Sequence, residues 1–130
     1  MTCIPENVRQ AWENRDGPAI FATVDAAGAP NIIYVTCVAL YGDDRFVIAD
    51  NYFHKTRRNL QTGCTGALLF REKEGKAYQV KGTLAYHTGG EIFENMKTWN
   101  PPPHPGHAAV SLLVEQAFSG AERLGCFEFK

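Results

Sequence analysis

The sequence is short of several features that would classify it at once. Its four cysteines, Cys3, Cys37, Cys64 and Cys126, lie far apart and never form a C-x-x-C pair, which argues against a thiolate zinc site or a dithiol redox motif. Four reduced thiols, each packed as a small hydrophobe, are expected. Only His104-x-x-His107 comes near a ligand spacing, and it lies in a proline-rich stretch, so no metal site is expected. No apolar run is long enough to span a bilayer and no signal peptide is evident; membrane insertion is not expected, and the cytoplasm is the expected location. Charge of one sign is also missing: 13 Lys+Arg stand against 14 Asp+Glu, for a net charge of -1. A protein that neutralises many phosphates needs a basic excess, so nucleic acid is not an expected partner. There is no internal repeat, no charged low-complexity tail and no evident acid–base dyad.

What is present is a chain of 130 residues, expected to form a single domain over 1–130 with a core that needs no staples. Ile4, Val8, Ala11 and Trp12 recur at helical spacing, with Pro5 at the first helical position and Asp16-Gly17-Pro18 as the stop. Ala19 to Val24 reads as a strand, Asp25 to Pro30 as a turn, Ile32 to Leu40 as one long strand, and Arg45 to Ala49 as the next. A short helix is predicted from Lys55 to Thr62 with Gly63 as its stop. Thr65 to Arg71 and Ala77 to His87 follow as strands around a hairpin at Glu72 to Lys76. In the second of these, Tyr78, Val80, Leu84 and Tyr86 share one face and Gly82 interrupts it, which predicts a bulge or bend. Thr88-Gly-Gly-Glu91 has capping-box spacing ahead of Ile92, Phe93, Met96 and Trp99. After the prolines of 101–105, Ala108 to Phe118 alternates with Val110, Leu112, Val114 and Phe118 inward, and Leu124 to Phe129 is a candidate closing strand. The expected class is α+β, mainly antiparallel β: a six- to seven-stranded barrel with three short helices.

The stretch from Ala49 to Leu60 is where local rules fail. Lys55, Arg57 and Arg58 crowd the first turn of a predicted helix, where the macrodipole favours anions and each cation costs about a few tenths of a kcal/mol. An anion among them would remove that cost, and a Lys, an Arg fork and the Thr56 hydroxyl are the donors that a phosphate uses. Pairing with Asp50, Asp43 or Asp44 is the plainer alternative.

Ala49-Asp50-Asn51, Lys55-Thr56, Asn59-Leu60, a hairpin, and Tyr78-Gln79-Val80-Lys81-Gly82 ahead of an alternating strand, taken in that order, resemble the pyridoxamine 5'-phosphate oxidase-like proteins. These are FMN-binding split β-barrels, and the resemblance runs from about Ile4 onward. It implies FMN as cofactor, its phosphate held by Lys55 and Thr56 with Arg57 or Arg58 assisting. It places the isoalloxazine ring along Tyr34, Val35, Thr36 and Cys37 and along Ala49, Asp50 and Asn51. It implies a homodimer with the flavin at the interface, covered by Trp99 or the proline-rich loop of the second subunit, and a small-molecule or protein electron donor or acceptor. Gln79 and Lys81 are candidates for a flavin edge or for solvent. The arginine-rich substrate segment of the larger oxidases is absent, with only Arg123 in its place, so the implied role is that of a small oxidoreductase or electron carrier. No catalytic side chain is assigned; His54 and His87 are candidate proton relays or structural residues. The alternatives left open are deazaflavin or haem in the same fold, a cofactor-free interaction or sensory dimer, and a single-strand nucleic-acid barrel using Tyr41, Tyr52, Phe53 and Tyr78.

Overall fold

The computed structural model describes residues 3–125. In chain order the elements are α1 (Glu6–Glu13), β1 (Ala19–Val24), β2 (Pro30–Val35), β3 (Val38–Tyr41), β4 (Arg45–Asp50), α2 (Lys55–Gln61), β5 (Thr65–Arg71), β6 (Ala77–His87), α3 (Glu91–Trp99), β7 (Ala108–Ser119) and β8 (Glu122–Leu124). All strand pairs are antiparallel, in the order β2-β1-β5-β6-β7-β4-β3, with β8 added to the end of β7. The sheet curls into a split barrel and the class is α+β, as predicted. The candidate closing strand is seen only at its start, because Cys126 to Phe129 lie outside the described residues.

The predicted long strand from Ile32 to Leu40 is two strands. Thr36 and Cys37 carry the chain from the β2 edge of the sheet to the β3 edge, and Ala49 N–H donates to the Cys37 carbonyl at 2.9 Å to start the β3–β4 ladder. The apolar pattern continues through the crossing because Val35 and Val38 both reach the same core. Two edges of one sheet thus meet within two residues, and this seam is where a ligand can enter without breaking a ladder.

The bulge predicted at Gly82 is present: the β6–β7 register shifts between Lys81 and Gly82. Glu115 is the extra residue, since Gly82 pairs with Val114 and Lys81 with Gln116. An extra residue inverts the side-chain alternation beyond it. Val110, Leu112 and Val114 therefore point inward as expected, but Ala117 replaces Phe118 in the core, and Phe118 turns outward beneath the Lys81 ammonium. The capping box does not form. Glu91 is the first residue of α3 and Gly90, at φ 89°, is its N-cap without a side-chain bond.

The barrel interior is filled by Phe21, Phe46, Leu68, Val80, Leu112 and their neighbours, with Val8 and Trp12 of α1 and Leu60 of α2. Each large apolar side chain fully buried there contributes about 1.5–3 kcal/mol. Trp12 meets Phe46 and Phe70 edge-on, both at 5.1 Å between centroids. A second, smaller cluster lies on the other face of β4 and β7, where Met96, Ile92, Phe93 and Trp99 of α3 cover Val47, Ala49 and Ala109. Cys37 and Cys64 are free thiols, while Cys3 is disulfide-bonded, so the expectation of four reduced thiols does not hold for Cys3. Among the described residues no helix is long and apolar enough to cross a membrane.

Candidate functional site

β4 ends on a charge. Asp50 is fully buried, and an unpaired carboxylate there would cost several kcal/mol. It is not unpaired: Arg57 donates to it through Nε at 2.7 Å and Nη2 at 3.0 Å, the Tyr86 hydroxyl at 2.6 Å and the Phe53 N–H at 3.1 Å. Burial pushes the carboxyl upward, and the bonds from Arg57, Tyr86 and Phe53 outweigh it, so Asp50 titrates below its usual range. Burial and the bond to Asp50 push the Tyr86 phenol up to about 12. Because Asp50 and Arg57 flank residues 51–54, their ion pair clasps that loop against the sheet. Of the alternatives for the clustered cations, pairing with Asp50 is what Arg57 does.

Asn51 holds the loop from the other side. Its amide exchanges two hydrogen bonds with Asn100, at 3.1 and 2.9 Å, and its carbonyl oxygen also accepts from the Gly106 N–H at 2.9 Å. This links the loop to the end of α3 and to the proline-rich segment. Tyr52 stays exposed, with its hydroxyl 3.1 Å from His104 Nδ1. α2 is tied to the first two strands by two amide bonds, Asn31 Nδ2 to Thr56 Oγ1 and Asn59 Nδ2 to Thr23 Oγ1, each at 3.0 Å. Among the described residues no buried side-chain nitrogen or oxygen lacks a partner.

A cleft of about 350 Å³ opens at the seam between β2, the end of β4 and the start of α2. It brings together Tyr34, Val35, Thr36, Ala49, Asn51, Lys55 and Thr56 of the predicted site, with Cys37. Asp50 and Arg57 do not line it, being consumed by one another beneath the loop. Trp99 is also away from it: it packs in the α3 cluster and donates Nε1–H to Asn95 Oδ1 at 3.2 Å. Sequence reasoning missed Asn31 and Ile33 as lining residues, and named Tyr52 and Phe53 only as nucleic-acid platforms and His54 only as a relay. Alternation could have found two of them, since Val35, Ile33 and Asn31 are spaced by two along β2.

The lining contains Lys55 and no carboxylate, and α2 has no acidic residue in its first turn and no side-chain cap. Ile33, Val35, Ala49 and Phe53 supply apolar wall. Such a cleft suits a planar apolar group carrying an anion, and it repels a cation. Of the candidate relays, His54 lies in the cleft wall. His87 does not; it shares a 2.8 Å hydrogen bond with buried Ser111, and burial, then Arg45, push its pKa down. Gln79 and Lys81 face neither the core nor this cleft but a shallower depression of about 620 Å³ bounded by Thr65, Glu115 and Arg123.

The chain is similar to the HupZ protein of Group A Streptococcus, with 28% identity, a TM-score of 0.81, and coverage of 94% of this chain and 99% of that one. It is similar to an FMN-binding protein from Syntrophomonas wolfei subsp. wolfei at 21% identity and a TM-score of 0.72, covering 92% and 85% of the two chains; at that distance the likeness speaks to the fold. The uncharacterized protein MJ0282 of Methanocaldococcus jannaschii is 29% identical over 100 residues, which are 72% of this chain and 67% of that protein. The profile of the pyridoxamine 5'-phosphate oxidase family matches residues 4–119, nearly the whole described chain, and the protein belongs to that family.

Proposed function

We propose that the cleft holds FMN noncovalently and that the protein works as a small oxidoreductase or electron carrier, as a homodimer in the cytoplasm. The observation that carries this reading is the convergence of Val35 to Cys37, of Ala49 and Asn51, and of Lys55-Thr56 on one carboxylate-free cleft. Lys55 supplies a point charge to the phosphate. Thr56 Oγ accepts from Asn31, which leaves the hydroxyl proton to be donated to a phosphate oxygen. The apolar wall of Ile33, Val35 and Ala49 excludes water from one side of the ring. Bound flavin accepts a hydride or single electrons, and the protein's part is position and electrostatics. That division accounts for a site without an acid–base pair.

A homodimer is supported by the outer face of β2, β1 and β5. Ile32 and Tyr34 are 66% and 74% exposed there, and the ladder places Ile20 beside both Tyr34 and Leu69. Tyr34 belongs to this apolar face and to the cleft rim at once, so a second copy seated on the face would reach the flavin. Trp99 of that second copy is then a proposed cover for the ring.

The test is the visible spectrum of the purified protein, followed by FMN titration of the apoprotein and of Lys55→Ala. A flavin spectrum and a loss of roughly 1–3 kcal/mol in the variant are expected, the scale of one charge-assisted hydrogen bond. Unchanged affinity in a folded variant removes the phosphate assignment, and a Soret band in place of the flavin bands replaces FMN with haem.

A further inference from the structure

We infer that Tyr52, held by His104, is the proton donor at the mouth of the cleft, acting on an acceptor whose reduction takes up protons together with electrons; this rests on the FMN reading above. Electrons pass through a bound flavin without an acid or base from the protein. An acceptor carbonyl that becomes a hydroxyl must also gain a proton, and a positioned acid contributes about 100- to 10,000-fold to such a step. The titratable side chains in the cleft wall are Tyr34, Cys37, Tyr52, His54 and Lys55. Lys55 serves the phosphate, and among the rest only Tyr52 shares a hydrogen bond with a second titratable side chain: its hydroxyl lies 3.1 Å from His104 Nδ1. His104 stands outside the wall and is half-buried, so the pair straddles the rim, with the phenol in the cleft and the imidazole toward water.

Holding the proline-rich segment does not require this bond. The segment is already tied to the loop at 51–54 by the Asn51–Asn100 exchange, by the Gly106 N–H to Asn51 Oδ1 and by the His107 N–H to the Asp50 carbonyl, the last two at 2.9 Å. The His104 N–H closes its own turn onto the Pro101 carbonyl at 3.0 Å. These bonds set the two rings edge-on, 5.6 Å apart. What the side-chain pair adds is a path for a proton between solvent and the cleft wall. For a quinone, the reduced FMN anion supplies two electrons and one proton as it returns to the oxidised form. The second proton passes from the Tyr52 O–H to the quinone oxygen; the phenolate left behind takes one from Nδ1 of protonated His104, and water reprotonates the imidazole.

Tyr52→Phe keeps the ring and removes the donor at an exposed position; His104→Asn keeps a hydrogen-bonding partner that cannot relay a proton, and His104→Ala opens the place of the imidazole. FMN-loaded protein of each form is reduced anaerobically with one equivalent of dithionite and mixed in stopped flow with p-benzoquinone, or with ferricyanide, which takes single electrons and no proton. Tyr52→Phe and His104→Asn are expected to slow the quinone reaction about tenfold or more and the ferricyanide reaction far less, to abolish the solvent deuterium isotope effect of the wild type, and added imidazole is expected to restore His104→Ala. In the apoprotein, nitrogen-15 spectra of the imidazoles should show His104 Nδ1 hydrogen-bonded in the wild type and released in Tyr52→Phe. If FMN binds but the quinone and ferricyanide rates fall together, or neither falls, or the His104 signals are the same in both forms, the relay is overturned and the FMN reading stands. If FMN does not bind, both fall together.

Discussion

Replacing Tyr86 by Phe removes a 2.6 Å hydroxyl donor from a carboxylate that has no solvent to turn to. A hydrogen bond to a buried charge is worth about 1.5–3 kcal/mol, and a loss of that order is expected in chemical unfolding at pH 7. The pH dependence separates this from lost packing. Tyr86 titrates near 12 in the fold against about 10 in the unfolded chain; its contribution is complete below pH 10 and drains away as pH rises toward 12. Asp50 is lowered, so its contribution is complete above about pH 4, the unfolded carboxylate value, and is lost as pH falls through the lower folded value. The advantage of the wild type over Tyr86→Phe should therefore hold across neutral pH and shrink between pH 10 and 12. An advantage that persists undiminished above pH 12 would contradict the assignment. From the sequence, three acids were equal candidates to neutralise the cations near Lys55. A seven-residue separation does not say that Asp50 turns inward, because that depends on Tyr86 arriving from β6.

At the scale of elements, the β6–β7 bulge and the tie between the loop at 51–54 and α3 invite the clearest tests. A Cβ on Gly82 would meet the Leu113 carbonyl oxygen at 1.7 Å, so Gly82→Ala must push two strand backbones apart. A loss of at least about 1–3 kcal/mol is expected in thermal or urea unfolding, with Gly89→Ala, which meets nothing within 4 Å, as the neutral control. Asn100→Ala leaves the buried Asn51 NH2 without its acceptor, costs about 1–3 kcal/mol, and should raise amide exchange at His104, Gly106 and His107. Exchange unchanged there would mean that the prolines alone hold the segment. Gly82 shows what was legible in these elements: one residue breaking an alternating face announced the bulge. What was not legible is that the bulge's extra residue lies on the partner strand, at Glu115, and so exchanges Phe118 for Ala117 in the core. Likewise the break at Thr36–Cys37 leaves no mark in the apolar pattern, because both halves serve one interior.

For the whole molecule, the class, the antiparallel sheet and the three helices followed from periodicity, while the meeting of distant segments at one cleft was implied by the family resemblance of the ordered motifs. The outer apolar face was hidden, since Ile32 and Tyr34 look like ordinary strand residues until β2 is found at the edge of the sheet. Ile32→Asp places a charge in that face. Sedimentation is expected to show a dimer for the wild type and a monomer for the variant, with weaker flavin retention in the monomer; a monomeric wild type at micromolar concentration would contradict the dimer.

The loop at 51–54 is held by Asp50 beneath and by Asn51 toward α3 before any ligand arrives. Little conformational entropy then remains to be lost on association, and capture becomes docking into a formed site. Stopped-flow mixing with flavin should give a single phase whose rate rises linearly with flavin concentration. Loosening the loop through Asn100→Ala should make that rate saturate, as an ordering step comes to limit entry.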